Sequence, residues 1–413
     1  MIDRKRGYYD EALETMPAAK RAQAQREMLR ETVLHAYGHA PATRRKMDDA
    51  GVRPGDVKEP ADLRKIPLTR KADIKHIQKG EPPFGGLAAV PPRAMRRIYV
   101  SPGPTFDPEG RDATHWRWEK PFIAAGFREG DIVQNTFMYH FSPAGLMFDE
   151  ALQRIGCTVI PAGVGNTELQ AQVMKELNVT GYVGTPSFLM TILEKAKEMG
   201  FTSGDGLSLQ VGLVTGEMFP ESLRARFRDE FGVQVRQCYG TADVGSLGYE
   251  CHEAKGMHVP DEIFLEMIDP ATGDPVPPGA IGEVVVTLPN RTYPLVRFAT
   301  GDLSILSDDP CQCGRTSPRL PPPCAARRDT ARLRFRLPRE GTAGRRGERD
   351  RADCADGLRR HRSSRLLAPA RAVHAAQRCR ARRRSRGSGE PHAMSRRHAP
   401  VMCWRGCRPG PTL

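Results

Sequence analysis

No lysine follows Lys255 in this 413-residue chain, and residues 321–413 also contain no isoleucine, tyrosine or asparagine. No stretch approaches the ~20 consecutive apolar residues that a membrane helix needs, so no membrane partner is expected. The N-terminal run "MIDRKRGYYDEALETM" lacks the apolar core of a secretory signal. Ten cysteines scattered through a chain without such a signal favour a reducing, cytoplasmic setting. There they serve as metal ligands or core residues more readily than as disulfides.

The formal charge of +14 suggests nucleic acid until its distribution is counted. Residues 321–413 hold 25 arginines and 7 acidic residues, which leaves 38 basic against 42 acidic side chains in residues 1–320. The first 320 residues are thus slightly acidic, and no specific nucleic-acid partner is expected of them. Two readings of the tail compete. One is a disordered basic arm that binds nucleic acid. The other is GC-rich coding sequence read in a shifted frame. Codons for Ile, Tyr, Asn and Lys are AT-rich, so their joint loss favours the frame shift. Residues 321–413 are therefore expected to be disordered and not a native C-terminal domain.

Residues 1–60 read as polar helices, punctuated by Pro41 and Pro54, and Thr69 is a candidate helix N-cap. From about 95 to 235, short β runs alternate with helices: "DIVQNTF" (131–137), then "AGLMFDEALQRIG", then "CTVIPA", and so on to "VQVRQCYG". That alternation predicts a mostly parallel sheet covered by helices. Asn166 and Ser187 are expected as N-caps, and Gly156, Gly200 and Gly232 as helix stops. Later, "EIFLEMIDPATGDPVPPGAIGEVVVTLPN" carries Asp-Pro, Thr-Gly-Asp and Pro-Gly turns between β runs, the mark of antiparallel hairpins. The fold class is α/β: mixed and parallel sheets covered by helices (about 1–250), plus a small antiparallel β unit (about 251–320).

Several loops carry candidate chemistry. "YVSPGPTFDPEG" (99–110) is either a surface turn or a small-residue loop whose N–H groups wrap phosphate, and it has no P-loop lysine. In "YHFSPAG", Tyr139, His140 and Phe141 stand at a strand's C-terminal end, where open parallel sheets bind ligands. A packed aromatic cluster is the alternative. Glu217 in "VTGEMFP" and Asp243 in "CYGTADVG" are either solvated loop charges or acids lining one crevice, where a carboxylate can hold Mg²⁺ against phosphate. "TGD" at 300–302 is either a plain turn or an acceptor of ribose hydroxyls. Cys251, His258, Cys311 and Cys313 are either two pairs of unrelated thiols or a Cys₃His set suited to tetrahedral Zn²⁺, with His252 as a competing imidazole and a spacing that is not that of a standard finger.

Taken in order, "IPLTRKADI", "GCTVIPAGVGNTELQ", "GTPSFL", "TGEMFP", "YGTADVG" and "YPLVRFATGDL" followed by "CQCGRTSPRL" resemble the phenylacetate–CoA ligase family, within the adenylate-forming acyl-CoA synthetases. The resemblance covers about residues 5–320. It implies an AMP-forming acid–CoA ligase acting on an aryl or phenylacetate-like carboxylic acid, with ATP, Mg²⁺ and CoA. It implies that Ser101, Gly103 and Thr105 form the phosphate loop, and that Gly216 and Glu217 flank adenine. Tyr239, within Tyr239-Gly240-Thr241, would stack on the base. Asp243 would hold Mg²⁺, Asp302 the ribose, and Arg315 the nucleotide near the hinge. Tyr139, His140, Phe141, Pro143 and Ala144 would form the acyl pocket and its approach. It also implies a structural Zn²⁺ on Cys251, His258, Cys311 and Cys313, and a homodimer. Three departures stand out. The phosphate loop reads "SPGPTFDPEG" without its lysine, Ala242-Asp243 replace a hydroxyl residue and Glu, and no lysine occupies the region after residue 320 where the family places one for adenylation.

Overall fold

The computed structural model describes residues 3–101, 104–112, 115–203 and 206–320. Gly103 and the tail at 321–413 lie outside the described residues. The chain divides into two units, Met1–Leu333 and Arg334–Leu413, and the second also lies outside them.

The polar N-terminal region folds as α1 (Glu11–Glu14), α2 (Ala18–His39) and α3 (Pro41–Asp49). The Asp10 side chain caps α1 by accepting from the Leu13 N–H at 3.0 Å. Pro41 does not merely end a helix. It occupies the first turn of α3, where its missing N–H costs nothing. Leu29, Val33, Ala36 and Met47 bury their side chains from this layer together with Leu63 and Ile66. Strand β1 (Thr69–Arg70) and helix α4 (Ile74–Gly80) follow. Thr69 is thus a strand residue and not a helix cap. Its hydroxyl accepts instead from Lys46 Nζ at 2.7 Å.

Strands β2 (Arg97–Ser101) and β3 (Thr105–Glu109) form an antiparallel hairpin in which Ser101 lies opposite Thr105. Next come α5 (Glu119–Ala125), β4 (Ile132–Asn135), α6 (Ala144–Arg154), β5 (Thr158–Pro161), α7 (Thr167–Glu176), β6 (Gly181–Gly184) and α8 (Pro186–Glu198). After the short pair β7 (Thr202–Ser203) and β8 (Gly206–Leu207), the alternation resumes with β9 (Val211–Val214), α9 (Glu221–Phe231) and β10 (Gln234–Thr241). Expected and observed elements agree to within a residue or two here, because each apolar period is local. Gly156, Gly200 and Gly232 all take the positive φ of a helix stop.

Strands β4, β5, β6, β9 and β10 run parallel. The sheet is continued antiparallel by β11 (Gly245–Glu250), β12 (Met257–His258) and β16 (Arg319–Leu320). Every residue of β6 and β9 is buried, as a sheet covered on both faces requires. Trp118, Phe122, Phe127 and Phe148 fill one flank, and Leu189, Ile192, Leu193, Phe227 and Val235 fill another.

A second, four-stranded sheet has the order β1, β15 (Phe298–Ser304), β14 (Gly282–Thr287) and β13 (Phe264–Ile268). The three later strands pair antiparallel, and β1 joins in parallel from the N-terminal region. The sheets cut across a boundary at residue 250, since β12 and β16 belong to the larger one. Among the described residues no helix is long and apolar enough to cross a membrane.

Candidate active site

The carboxyl ends of β4, β6, β9 and β10 open on the same edge of the parallel sheet, where ligands enter such folds. Strand β10 supplies Tyr239, and its ladder shifts register between Tyr239 and Gly240. A Cβ on Gly240 would meet the Gly245 carbonyl oxygen at 2.5 Å and the Trp118 ring at 2.7 Å, so only glycine allows this bulge. The bulge directs Tyr239 towards the second sheet. Its hydroxyl donates to Asp302 Oδ2 at 2.7 Å and lies 3.4 Å from Thr300 Oγ1. Thr300 Oγ1 in turn donates to the Val284 carbonyl at 3.0 Å and accepts from the Asp302 N–H at 3.2 Å. Thr300-Gly301-Asp302 is thus not a turn but a bulged part of β15, and these bonds fix it in place. Burial, and secondarily the Asp302 carboxylate, hold the Tyr239 phenol well above its usual pKa, so it stays a neutral donor. The neighbouring Thr241 hydroxyl is enclosed and has no partner among the described residues.

Asp243 follows directly on β10, and Lys71 Nζ stands 2.6 Å from its Oδ2. Lys71 reaches it because β1 runs beside β15 with Arg70 opposite Ala299, which sets the next residue level with Thr300. On the other side, the Ser101 hydroxyl donates to Asp107 Oδ2 across the hairpin. Burial, and then the charge of Asp243, push the Asp107 carboxyl up to about 7. Ser101 and Thr105 thus sit at the hairpin mouth beside two carboxylates and an ammonium. The sequence reading missed Lys71 and Asp107. Lys71 lies inside "IPLTRKADI" and Asp107 inside "SPGPTFDPEG", but neither motif shows that the two meet.

The "YHFSPAG" turn is anchored more than it is open. Tyr139 donates to Asp149 Oδ2 at 2.7 Å and accepts from Asn135 Nδ2 at 2.8 Å, so its hydroxyl is tied to α6. His140 is exposed, and Phe141 is 74% exposed with φ at +60°, a left-handed conformation uncommon outside glycine. The Phe141 carbonyl accepts from the Val100 N–H at 2.9 Å, which holds the turn against the β2–β3 hairpin. Pro143 is buried at the helix cap and Ala144 begins α6.

Gly216, with φ at +83°, turns the chain after β9 and presents Glu217. The Glu217 carboxylate accepts from the Ser187 hydroxyl at 2.9 Å and the Ser187 N–H at 3.3 Å. Ser187 is not the N-cap of α8. Pro186 takes the first helical position, so the cap falls on Thr185, whose hydroxyl accepts from the Phe188 N–H at 3.4 Å. Asn166 precedes α7 in a left-handed conformation and makes no side-chain cap bond.

The four candidate metal ligands converge from β11, β12 and the 311–313 turn. Their donor atoms all lie within 4.8 Å of one another. Cys251 Sγ is 3.7 Å from Cys311 Sγ, and Cys313 Sγ is 3.4 Å from His258 Nε2. Tetrahedral Zn–S and Zn–N bonds of about 2.3 and 2.0 Å give S···S and S···N separations of roughly 3.7 and 3.5 Å. Ser317 Oγ, 3.3 Å from His258 Nδ1, orients the ring, and the Arg315 N–H donates to Cys313 Sγ at 3.4 Å.

Arg315 is not in the crevice. Its guanidinium donates to Glu14 Oε2 at 2.6 Å and to the Gly7 carbonyl at 2.7 Å, and it lies 4.8 Å from the Tyr8 ring centre. With its side chain 2% exposed, it ties the Cys-rich turn to the N-terminal segment.

Residues 126–292 match the family model for AMP-binding enzymes. A phenylacetate–coenzyme A ligase of Thermus thermophilus is 33% identical over 326 residues, which are 76% of this chain and 72% of that protein. That of Aromatoleum evansii is 34% identical over 68% of this chain and 66% of its own length. Among solved structures, 2-hydroxyisobutyryl-CoA ligase in complex with 2-HIB-AMP and CoA superposes with a TM-score of 0.71 at 27% identity, covering 76% of this chain and 70% of that one.

Proposed function

The chain belongs to the phenylacetate–coenzyme A ligase family, and on that premise we propose that its crevice binds ATP and an aryl or phenylacetate-like carboxylic acid. A carboxylate oxygen attacks the α-phosphorus and pyrophosphate leaves with the electrons of the broken P–O bond. The CoA sulfur, losing its proton, then attacks the acyl carbon, and AMP departs. The observation that supports this reading is the Tyr239–Asp302 hydrogen bond, which brings two motifs distant in sequence side by side.

The reading gives each residue a part. The Tyr239 ring offers adenine a fixed face. The Asp302 carboxylate keeps one oxygen for the ribose hydroxyls. Gly216 and Glu217 border the base, and Glu217 is steadied by Ser187. Ser101 and Thr105 would border the phosphates at the hairpin mouth. Asp243 would take the Mg²⁺ that arrives with ATP, and that ion neutralises phosphate charge. The turn at Tyr139–Ala144 borders the acid. Cys251, His258, Cys311 and Cys313 fit a structural Zn²⁺ with no open position.

Adenylation places negative charge on the oxygens around the α-phosphorus, and a cation there is worth several kcal/mol. The last lysine, Lys255, lies 3.7 Å from Glu253 on the Cys-cluster side. This chain therefore binds an acyl-adenylate but forms it slowly. The test is pyrophosphate release with phenylacetate, beside calorimetry with a non-hydrolysable phenylacetyl-adenylate analogue. Binding without appreciable acid-dependent release supports the proposal. Robust release would sink the impairment, and no binding would sink the ligase reading of this crevice.

A further inference from the structure

The hairpin at 97–109 has the place of a phosphate loop but no lysine of its own. The described structure nevertheless sets a lysine beside it. Lys71 comes from the turn after β1, and its ammonium lies 2.6 Å from Asp243 Oδ2. Its side chain is 40% exposed while that of Asp243 is 6% exposed, so the charged end bridges solvent and a sequestered carboxylate. Asp107 shares the corner. It is 1% exposed, one oxygen accepts from Ser101, and Oδ1 meets no donor among the described residues. Two buried carboxylates thus share a corner with one half-exposed cation, paired to Asp243. A buried pair of like charges is costly unless a cation accompanies it.

We propose that Lys71 is the phosphate-positioning lysine of this site: it rests on Asp243 while the crevice is empty and moves onto the nucleotide's β- and γ-phosphates when Mg²⁺ takes its place on Asp243. The proposal rests on the nucleotide reading above and gives the β- and γ-phosphates the lysine that the hairpin itself lacks. It makes Lys71 a competitor of the metal and a partner of the phosphates. Its removal therefore has opposite effects on the two ligands. A purely structural lysine would weaken both or neither.

The test uses the full chain and its Lys71→Gln and Lys71→Arg variants. Mn²⁺ binding without nucleotide is read by electron paramagnetic resonance, and Mg·ATP and AMP binding by calorimetry. In Lys71→Gln, Mn²⁺ binds about two- to fivefold more tightly, since a half-exposed ion pair no longer competes. Mg·ATP binds about tenfold or more weakly, as expected for a lost charge-assisted contact. AMP, which lacks the β- and γ-phosphates, binds as before, and Lys71→Arg restores most of the ATP affinity. Unchanged or weakened Mn²⁺ binding, or parallel losses for ATP and AMP, overturns the proposal. If the unaltered chain binds neither ATP nor AMP, the nucleotide reading fails and this assignment fails with it. If it binds both and Lys71→Gln changes neither, only the assignment of Lys71 fails.

Discussion

Replacing Arg315 by methionine should cost the protein about 3–5 kcal/mol, the usual penalty for stranding one member of a buried ion pair. Its partner Glu14 is fully enclosed, with the side chains of Arg315 and Glu14 2% and 0% exposed. Besides Arg315, Glu14 Oε1 accepts from the Tyr9 and Asp10 N–H groups at 2.7 and 3.0 Å. Two neutral donors do not replace a cation for a carboxylate removed from water. In the Glu14→Gln/Arg315→Met double variant the stranded charge is gone, while the amide oxygen still accepts from the backbone. The double variant should therefore be more stable than Arg315→Met alone, by about 2 kcal/mol if the charge dominates. The assay is the denaturant midpoint followed by circular dichroism, paired with an ATP titration of the folded protein. The placement of Arg315 predicts a lowered midpoint and unchanged ATP affinity. A wild-type midpoint with greatly weakened ATP binding would refute it and put Arg315 back at the nucleotide.

Two further predictions concern other parts of the fold. The Lys46 ammonium is enclosed between Thr69 Oγ1 and the Val296 carbonyl, and burial, with Arg297 adding to it, lowers its pKa to about 7 from 10.5. The charged form is thus disfavoured in the folded state, so stability should rise as pH climbs from about 7 towards 10.5, and Lys46→Met should flatten that rise in pH-dependent denaturation. For the Cys₃His cluster, purified protein should hold one equivalent of zinc by elemental analysis. Stripping it with a chelator, or substituting Cys313→Ser, should lower the melting temperature, whereas metal-free protein with an unchanged melt would contradict a structural zinc.

Much of the architecture is legible in the sequence because it is written locally. The helix expected at 144–156 forms as Ala144–Arg154, and the strand expected at 131–137 forms as Ile132–Asn135. Amphipathic period and flanking glycines suffice for such elements. Local signals mislead where neighbours compete. Ser187 resembles a cap, yet Pro186 shifts the cap to Thr185 and frees Ser187 for Glu217. Thr69 resembles a cap, yet edge pairing with β15 draws it into a strand. The site's decisive contacts are long-range. Tyr239 and Asp302 stand 63 residues apart, and Lys71 meets Asp243 only because β1 crosses to the second sheet. Arg315 shows the converse. Its motif points to the nucleotide, while the folded chain commits it to Glu14.

The most direct test of the central claim is calorimetric binding of a phenylacetyl-adenylate analogue to the full chain and to Asp302→Asn. Asp302 would bind the ribose through a charged acceptor already aligned by Tyr239, and neutralising it removes a contact worth about 1.5–3 kcal/mol. The account predicts saturable binding to the unaltered chain and an affinity roughly ten- to hundredfold lower in the folded variant. Equal affinity in the two proteins, or no binding to the unaltered chain, would contradict it.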